Sequence, residues 1–107
     1  MKEAIHEESI QLFCKAVLSL KTEKEMRSFL EDLCTMPELK AFAQRLMVAK
    51  MLNEKRVYAE IVDRTGASTA TISRVNRSLV YGNDTFHMLF ERLFGEEAIA
   101  EARRKVG

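Results

Sequence analysis

Proline and glycine are scarce in this sequence, which has one proline and four glycines among its 107 residues. Because the turns between strands depend on these two residues, their scarcity argues against a loop-rich or many-stranded fold. Hydrophobic residues make up 47% of the chain and charged residues 31%, a balance that excludes intrinsic disorder. The length predicts one domain over residues 1–107, with a thin core.

The sequence also lacks a long apolar run and a basic leader. Its most apolar early stretch, residues 10–20, is interrupted by Lys15 and follows Glu3, Glu7 and Glu8. A signal peptide instead begins with basic residues and continues with an unbroken apolar run. No stretch approaches the roughly 20 apolar residues of a membrane span. We therefore expect a cytoplasmic protein with no membrane partner.

Clustered metal ligands and catalytic motifs are lacking as well. Cys14 and Cys34 lie twenty positions apart without a Cys-x-x-Cys pair, and His6 and His87 are isolated, so we predict no metal site. The two cysteines are expected to be small buried residues in a reducing compartment. Since there is no glycine-rich phosphate loop and no nucleophile motif, we predict neither an enzyme nor a cofactor.

What the sequence does contain is helical periodicity along its length, which predicts an all-α fold of about six helices. The first segment is apolar around its whole circumference, so it needs cover on more than one side, which a second subunit could supply. Near the other end, Gly95 would end a helix with one apolar face, and a final helix would follow over 96–106. The apolar residues of the first segment are Ile5, Ile10, Leu12, Phe13, Cys14, Ala16, Val17, Leu18 and Leu20.

Two helices share a start signal, a threonine followed three residues later by a glutamate. Thr22 with Glu25, and Thr35 with Glu38, each predict a capping box, in which both side chains satisfy unpaired backbone N–H groups. Pro37 falls in the first turn of the third helix, where its missing N–H costs little. That helix would run to about residue 53, and its apolar face would consist of Leu39, Phe42, Ala43, Leu46 and Met47.

Residues 57–80 have the spacing of a central helix-turn-helix. A short helix over 57–65 would stop at Gly66, because glycine enters the left-handed conformation without penalty. Ser68 would cap a second helix over 69–80. The side chains expected to face inward at this crossing are Ile61, Ile72, Val75 and Leu79.

The outward face of the second short helix carries small, hydroxyl and basic side chains. Small residues permit close approach to a DNA major groove, and arginines reach phosphates or a guanine edge. Helix hairpins with glycine turns also occur in structural bundles, so the spacing alone leaves both interpretations open. The residues predicted on this face are Thr69, Ala70, Ser73, Arg74 and Arg77.

The net charge of +1 conceals an uneven distribution. Residues 1–54 sum to −1, residues 55–82 to +3 and residues 83–107 to −1. The basic excess, which includes Lys55 and Arg56, falls on the predicted helix-turn-helix and the residues just before it. No acidic residue lies between Gly66 and Gly82. Contact with DNA phosphates requires such an excess of basic residues. The alternative interpretation is a mildly basic surface that faces solvent and binds no DNA.

Residues 66–74, Gly-Ala-Ser-Thr-Ala-Thr-Ile-Ser-Arg, resemble the turn and recognition helix of the Trp repressor superfamily. Ala-Gln-Arg-Leu at 43–46 and Tyr-Gly-Asn-Asp at 81–84 are similar to its YerC/YecD-type branch. The resemblance implies two chains interlocked through their terminal helices, with recognition helices about 34 Å apart over a pseudo-palindrome. It also implies two sets of DNA-facing positions, namely Thr69, Ala70, Thr71 and Ser73 on the recognition helix, and Tyr58, Ala59 and Val62 on the preceding one.

The resemblance also bears on a ligand. Tryptophan-sensing members hold the amino acid between two arginines. In this chain Gln44 stands at the position of the first arginine, and Arg74 matches the second. Those members also have a glycine beside the indole, where this chain has Val75, and the isopropyl group of Val75 would intrude on the pocket. The asparagine two positions later is Arg77. We therefore predict no tryptophan binding, and Gln44 and Arg74 remain candidate positions for another ligand.

Three functions are consistent with these features. The leading hypothesis is a homodimeric regulator of transcription that binds specific sequences of double-stranded DNA. A dimer for protein interactions that does not read DNA is the first alternative, favoured by the poor hydrogen-bonding side chains at Tyr58, Ala59 and Val62. A small-molecule sensor with a remodelled pocket around Gln44 and Arg74 is the second.

Overall fold

The computed structural model describes the backbone of residues 2–106 and the side chains of residues 6–95. This part of the chain contains six helices and no strand, which confirms the predicted all-α class. No helix in it combines the length and the apolar character needed to cross a membrane. The helices are α1 (Lys2–Ser19), α2 (Glu23–Leu33), α3 (Met36–Asn53), α4 (Tyr58–Thr65), α5 (Thr69–Tyr81) and α6 (Thr85–Val106).

The predicted boundaries of the central helices are correct to within one residue, but the predicted C-terminal break is wrong. Val57 precedes α4 as its N-cap, and α5 continues one residue past Val80. At the C-terminal end, α6 runs through Gly95 to Val106 without a stop. Among the residues described, Gly66 alone of the glycines has a positive φ, so Gly95 lacks the left-handed backbone that ends a helix.

Both predicted caps form at the starts of α2 and α3. The Oγ1 of Thr22 accepts the Glu25 N–H at 3.1 Å, while Oε1 of Glu25 accepts the Lys21 N–H at 2.7 Å. At α3 the exchange is reciprocal, since Thr35 Oγ1 accepts the Glu38 N–H at 3.2 Å and Glu38 Oε1 accepts the Thr35 N–H at 2.8 Å. Hydrogen bonds from the Thr35 backbone and then its side chain hold the pKa of Glu38 below its ordinary value of 4.5.

The end of α3 uses a motif without an obvious sequence signal. Lys55 adopts a left-handed φ of 64°, and its N–H donates to the Leu52 carbonyl at 3.0 Å. The Arg56 N–H donates to the Met51 carbonyl, also at 3.0 Å. This is a Schellman arrangement with lysine at the position that glycine usually takes. It ends α3 and starts the short connection to α4.

The chain divides into two compact units, one up to Lys40 and one from Ala41 onward. In the first unit, the described side chains of α1 and α2 include none that is fully buried, although the Phe13 and Phe29 rings lie 6.1 Å apart. The prediction of two buried cysteines is wrong, because Cys14 is exposed and Cys34 is half-buried. Two helices alone cannot enclose a core, which leaves these side chains uncovered.

The second unit contains the hydrophobic core, to which α3, α4, α5 and α6 all contribute. The predicted apolar face of α3 is wrong for a single chain, since Phe42 is 52% and Met47 is 49% exposed. Only the second half of α3 enters the core, where α4, α5 and α6 provide cover. Phe86 and Phe94 pack against the core, which consists of Val48, Ala49, Met51, Leu52, Ile61, Ala67, Ile72, Val75, Leu79 and Phe90.

Candidate nucleic-acid interface

The turn between α4 and α5 is formed by Gly66 and the hydroxyl group of Thr65. Gly66 has a φ of 72°, and its N–H donates to the Val62 carbonyl at 2.9 Å, which ends α4 as predicted. Thr65 Oγ1 donates to the Ile61 carbonyl at 2.7 Å and accepts the Ala67 N–H at 3.1 Å. The threonine therefore ties the last turn of α4 to the segment that leads into α5.

Helix α5 starts at the predicted N-cap. Ser68 Oγ accepts the Thr71 N–H at 3.1 Å, and the two hydroxyl oxygens lie 3.0 Å apart. Thr71 is half-buried, while Thr69 and Ala70 are exposed. The first turn of a helix leaves backbone N–H groups without intrahelical partners, so this end of α5 presents both donors and the positive end of the helix dipole.

The two sides of α5 differ as the spacing predicts. Ile72, Val75 and Leu79 are buried with Ile61 of α4, which confirms the predicted filling of the crease. All five positions predicted to face outward are exposed, namely Thr69, Ala70, Ser73, Arg74 and Arg77. Toward the end of the helix, Ser78, Val80 and Tyr81 are exposed as well. The exposed side of α5 is therefore polar and basic over residues 69–77 and carries apolar side chains at its end.

The outward side of α4 is less polar than that of α5. Tyr58 is 39% exposed and Val62 is 37% exposed, and Ala59 is also exposed between them. Val57, which caps the helix, is exposed as well. Of these four side chains only the Tyr58 hydroxyl can form a hydrogen bond, so this part of α4 offers contact area and few polar contacts.

The basic side chains of this region differ in their ionic partners. Arg56 Nη1 lies 2.8 Å from Glu60 Oε1, and Arg56 Nε lies 3.7 Å from Glu54 Oε1. Within the side chains that the structure describes, none of the other basic residues of segment 55–82 forms an ion pair. These are Lys55, Arg64, Arg74 and Arg77. The structure therefore separates the partly neutralised Arg56 from four basic groups available for an external anion.

The two candidate ligand positions lie in different environments. Gln44 is half-buried on α3, and its Nε2 donates to the Thr65 carbonyl at 3.1 Å. Arg74 is exposed on the outward face of α5. Val75 is only 5% exposed and belongs to the core. The Gln44 amide is therefore engaged with the turn of the helix-turn-helix.

A polar connection between α6 and α5 has no signal in the sequence. His87 of α6 places Nδ1 at 3.1 Å from Asn53 Oδ1 and Nε2 at 3.2 Å from the Leu79 carbonyl. One imidazole thus joins the end of α3 to the last turn of α5. An isolated histidine gives no sequence signal for such a role, because both partners are distant along the chain.

The chain is similar to a known protein family and to a curated bacterial protein. The pattern of the family described as Trp repressor protein matches residues 8–94. The uncharacterized protein YerC of Bacillus subtilis (strain 168) is 53% identical over 83 residues, which cover 78% of this chain and 79% of YerC.

Two solved structures share the fold. A TrpR-like protein from Eubacterium eligens has a TM-score of 0.79 at 53% identity, covering 80% of this chain and 89% of that one. A candidate Trp repressor from Staphylococcus aureus has a TM-score of 0.78 at 44% identity, covering 80% and 86%. The family match includes the whole helix-turn-helix and confirms the resemblance seen in the sequence. The chain belongs to the Trp repressor family.

Proposed function

We propose that this protein is a regulator of transcription that binds a specific sequence of double-stranded DNA as a homodimer. The observation that carries the proposal is the outward face of α5, where small, hydroxyl and arginine side chains lie together and are exposed. Thr69, Ala70, Thr71 and Ser73 lie at the start of the helix, the part of a recognition helix that contacts base edges. Arg74 and Arg77 follow one turn later, within reach of phosphates or guanine.

The charge distribution supports DNA as the partner. Four basic side chains of segment 55–82 have no ion pair among the described residues, and no acidic residue occurs between Gly66 and Gly82. Such a surface attracts a polyanion and supplies affinity that does not depend on sequence. The small side chains at the start of α5 would then supply the sequence preference.

Exposed apolar side chains support a homodimer. Ile10, Leu12, Phe13 and Leu18 are exposed on α1, and Phe42, Leu46 and Met47 are exposed on α3. Apolar surface of this extent on soluble proteins marks an interaction site. A second copy would cover it and would present α5 twice. The partner's α5 would then read the second half of a pseudo-palindromic operator, about 34 Å away.

The proposal does not include tryptophan as an effector. Val75 occupies core volume at the position where tryptophan-sensing relatives have a glycine, and packed volume cannot accept a ligand without a large cost. The proposal likewise assigns no catalytic residue, cofactor or metal to the chain. It places the protein in the cytoplasm with its DNA.

Unbiased selection of bound DNA from a random pool tests the proposal. We expect enrichment of a twofold-symmetric consensus, with binding that weakens steeply as the salt concentration rises. A consensus without symmetry would contradict the dimeric reader. Failure to retain any DNA at low salt would contradict DNA binding altogether.

A protein-interaction role is the second candidate, and one observation favours it. The exposed side of α4 carries Val57, Tyr58 and Val62, which suit a protein surface better than a phosphate backbone. Substitution of Val62 by Ser separates the two functions, because it removes apolar contact area and adds a hydroxyl group. Unchanged or stronger DNA binding would support the DNA reader, whereas loss of a protein partner without any DNA binding would support the alternative.

A further inference from the structure

The turn of the helix-turn-helix is held by side chains from two sides. Within the turn, Thr65 Oγ1 bridges the Ile61 carbonyl and the Ala67 N–H. From outside it, Gln44 of α3 donates its amide N–H to the Thr65 carbonyl at 3.1 Å. Among the described residues, this is the one side-chain hydrogen bond between α3 and the turn. It crosses 21 positions of sequence and is partly buried.

The hydrogen bond between Gln44 and Thr65 lies where it can set the position of α5. The Thr65 carbonyl belongs to the last residue of α4, directly before the left-handed Gly66, where the chain changes direction. Ala67 is buried in the core, and α5 begins two residues later at Thr69. A backbone shift at Thr65 is therefore passed within four residues to the exposed start of the recognition helix.

We propose that Gln44 is a positioning residue that fixes the start of the recognition helix from within the chain, through its hydrogen bond to the Thr65 carbonyl. The structural part of the inference stands by itself, and its consequence for DNA binding rests on the proposed function. A primary amide is suited to this role because its N–H donates to a carbonyl without bringing a charge into a half-buried site.

Substitution of Gln44 by Met tests the structural part. Methionine has a similar length and no donor, so the Thr65 carbonyl loses its partner while the site stays filled. We expect amide hydrogen exchange at Gly66 and Ala67 to become about tenfold faster, as befits the loss of one partly buried hydrogen bond. Exchange at Leu30 of α2 is the internal reference and should not change.

The chain offers a matched control and a rescue. Gln11 is the other glutamine, and its amide donates to Glu7 Oε1 at 3.2 Å on exposed α1, so Gln11→Met makes the same chemical change away from the turn. Gln44→His, with its imidazole neutral, places an uncharged N–H donor at a similar distance from the backbone and should return exchange at Gly66 toward the wild-type rate. Equal exchange rates in Gln44→Met and the wild type would overturn the positioning role.

DNA binding tests the consequence. We expect Gln44→Met to lower affinity for the selected consensus by threefold to tenfold, roughly the effect of one hydrogen bond, while Gln11→Met binds as the wild type does. Equal affinities of Gln44→Met and the wild type for the consensus would overturn this consequence.

The two proposals fail in different ways. If the wild type binds no DNA but the turn exchanges faster in Gln44→Met, the proposed function is wrong and the positioning role of Gln44 stands. If the wild type binds DNA and Gln44→Met leaves both exchange and affinity unchanged, the inference is wrong and the proposed function stands. Circular dichroism of each variant confirms that the helices remain formed.

Discussion

Individual basic side chains in this protein differ in how much of their charge is available to a partner. Arg56 lies between Glu54 and Glu60, and both carboxylates offset its charge before any DNA arrives. Arg74 and Arg77 are exposed on α5 without an ion pair among the described residues. Sequence counting treats the three arginines alike, because the formal charge of each is the same.

This difference predicts unequal effects of three alanine substitutions on DNA affinity. Arg74→Ala and Arg77→Ala should each weaken binding and reduce the slope of log affinity against log salt by about one unit if the arginine contacts a phosphate. Arg56→Ala should have a smaller effect, because the guanidinium of Arg56 is already held by Glu54 and Glu60 and is less available to a phosphate. Fluorescence anisotropy at several salt concentrations measures both quantities.

The control for charge is Arg27→Ala, which removes the same charge from exposed α2, where Arg27 pairs with Glu23 at 3.3 Å. It should leave the salt slope unchanged. If Arg56→Ala lowers affinity more than Arg74→Ala and Arg77→Ala do, the assignment of the phosphate contacts to α5 is wrong.

At the scale of the helices, two glycines that were each predicted to end a helix have opposite structural roles. Gly66 has a φ of 72° and ends α4, whereas Gly95 lies inside α6 without a positive φ. A Cβ added at Gly66 would meet nothing within 4 Å, so the cost of a side chain there is conformational. At Gly95 the nearest atom would be Glu91 Cγ at 3.6 Å, an ordinary contact.

The same substitution should therefore change stability in opposite directions at the two sites. Gly66→Ala should lower the free energy of unfolding by about 1–2 kcal/mol, the cost of a left-handed backbone for a residue with a Cβ. Gly95→Ala should raise it by roughly 0.5–1 kcal/mol, because alanine loses less backbone entropy in a helix. Chemical denaturation of both variants provides the comparison, and a destabilised Gly95→Ala would indicate that α6 ends at Gly95.

At the scale of the whole molecule, the apolar surface exceeds what one chain encloses. The described side chains of α1 and α2 include none that is fully buried, and the part of α3 before Val48 leaves Phe42, Leu46 and Met47 exposed. These residues keep the helical spacing of a buried face. We interpret that face as one that a second copy of the chain completes.

Substitution of Met47 by Asp should therefore weaken the dimer by two orders of magnitude or more, because an unpaired carboxylate in an apolar interface costs several kcal/mol. Sedimentation equilibrium measures the dissociation constant. Ser28→Asp adds the same charge to an exposed polar position of α2 and should leave the dimer intact. A wild-type protein that remains monomeric at every concentration would contradict the dimer, and equal dissociation constants for wild type and Met47→Asp would exclude this face.

The sequence by itself determined the features that depend on local physics. The capping boxes at Thr22 and Thr35, the glycine stop at Gly66 and the serine cap at Ser68 all formed as predicted. Each needs only residues within four positions, so the signal is complete in the sequence. The spacing of the apolar positions on α5 is also contained in the sequence, and it selects the candidate DNA-facing residues between them.

Only the tertiary structure decided which apolar faces are covered and which polar groups already have partners. Residues of α3 are buried only from Val48 onward, because α4, α5 and α6 cover only that last part of the helix. Gln44 and His87 each bond to groups at least eight positions away, and no local pattern encodes such distances. Burial and hydrogen bonding between distant segments depend on how helices pack, whereas helix starts and stops depend on neighbouring residues.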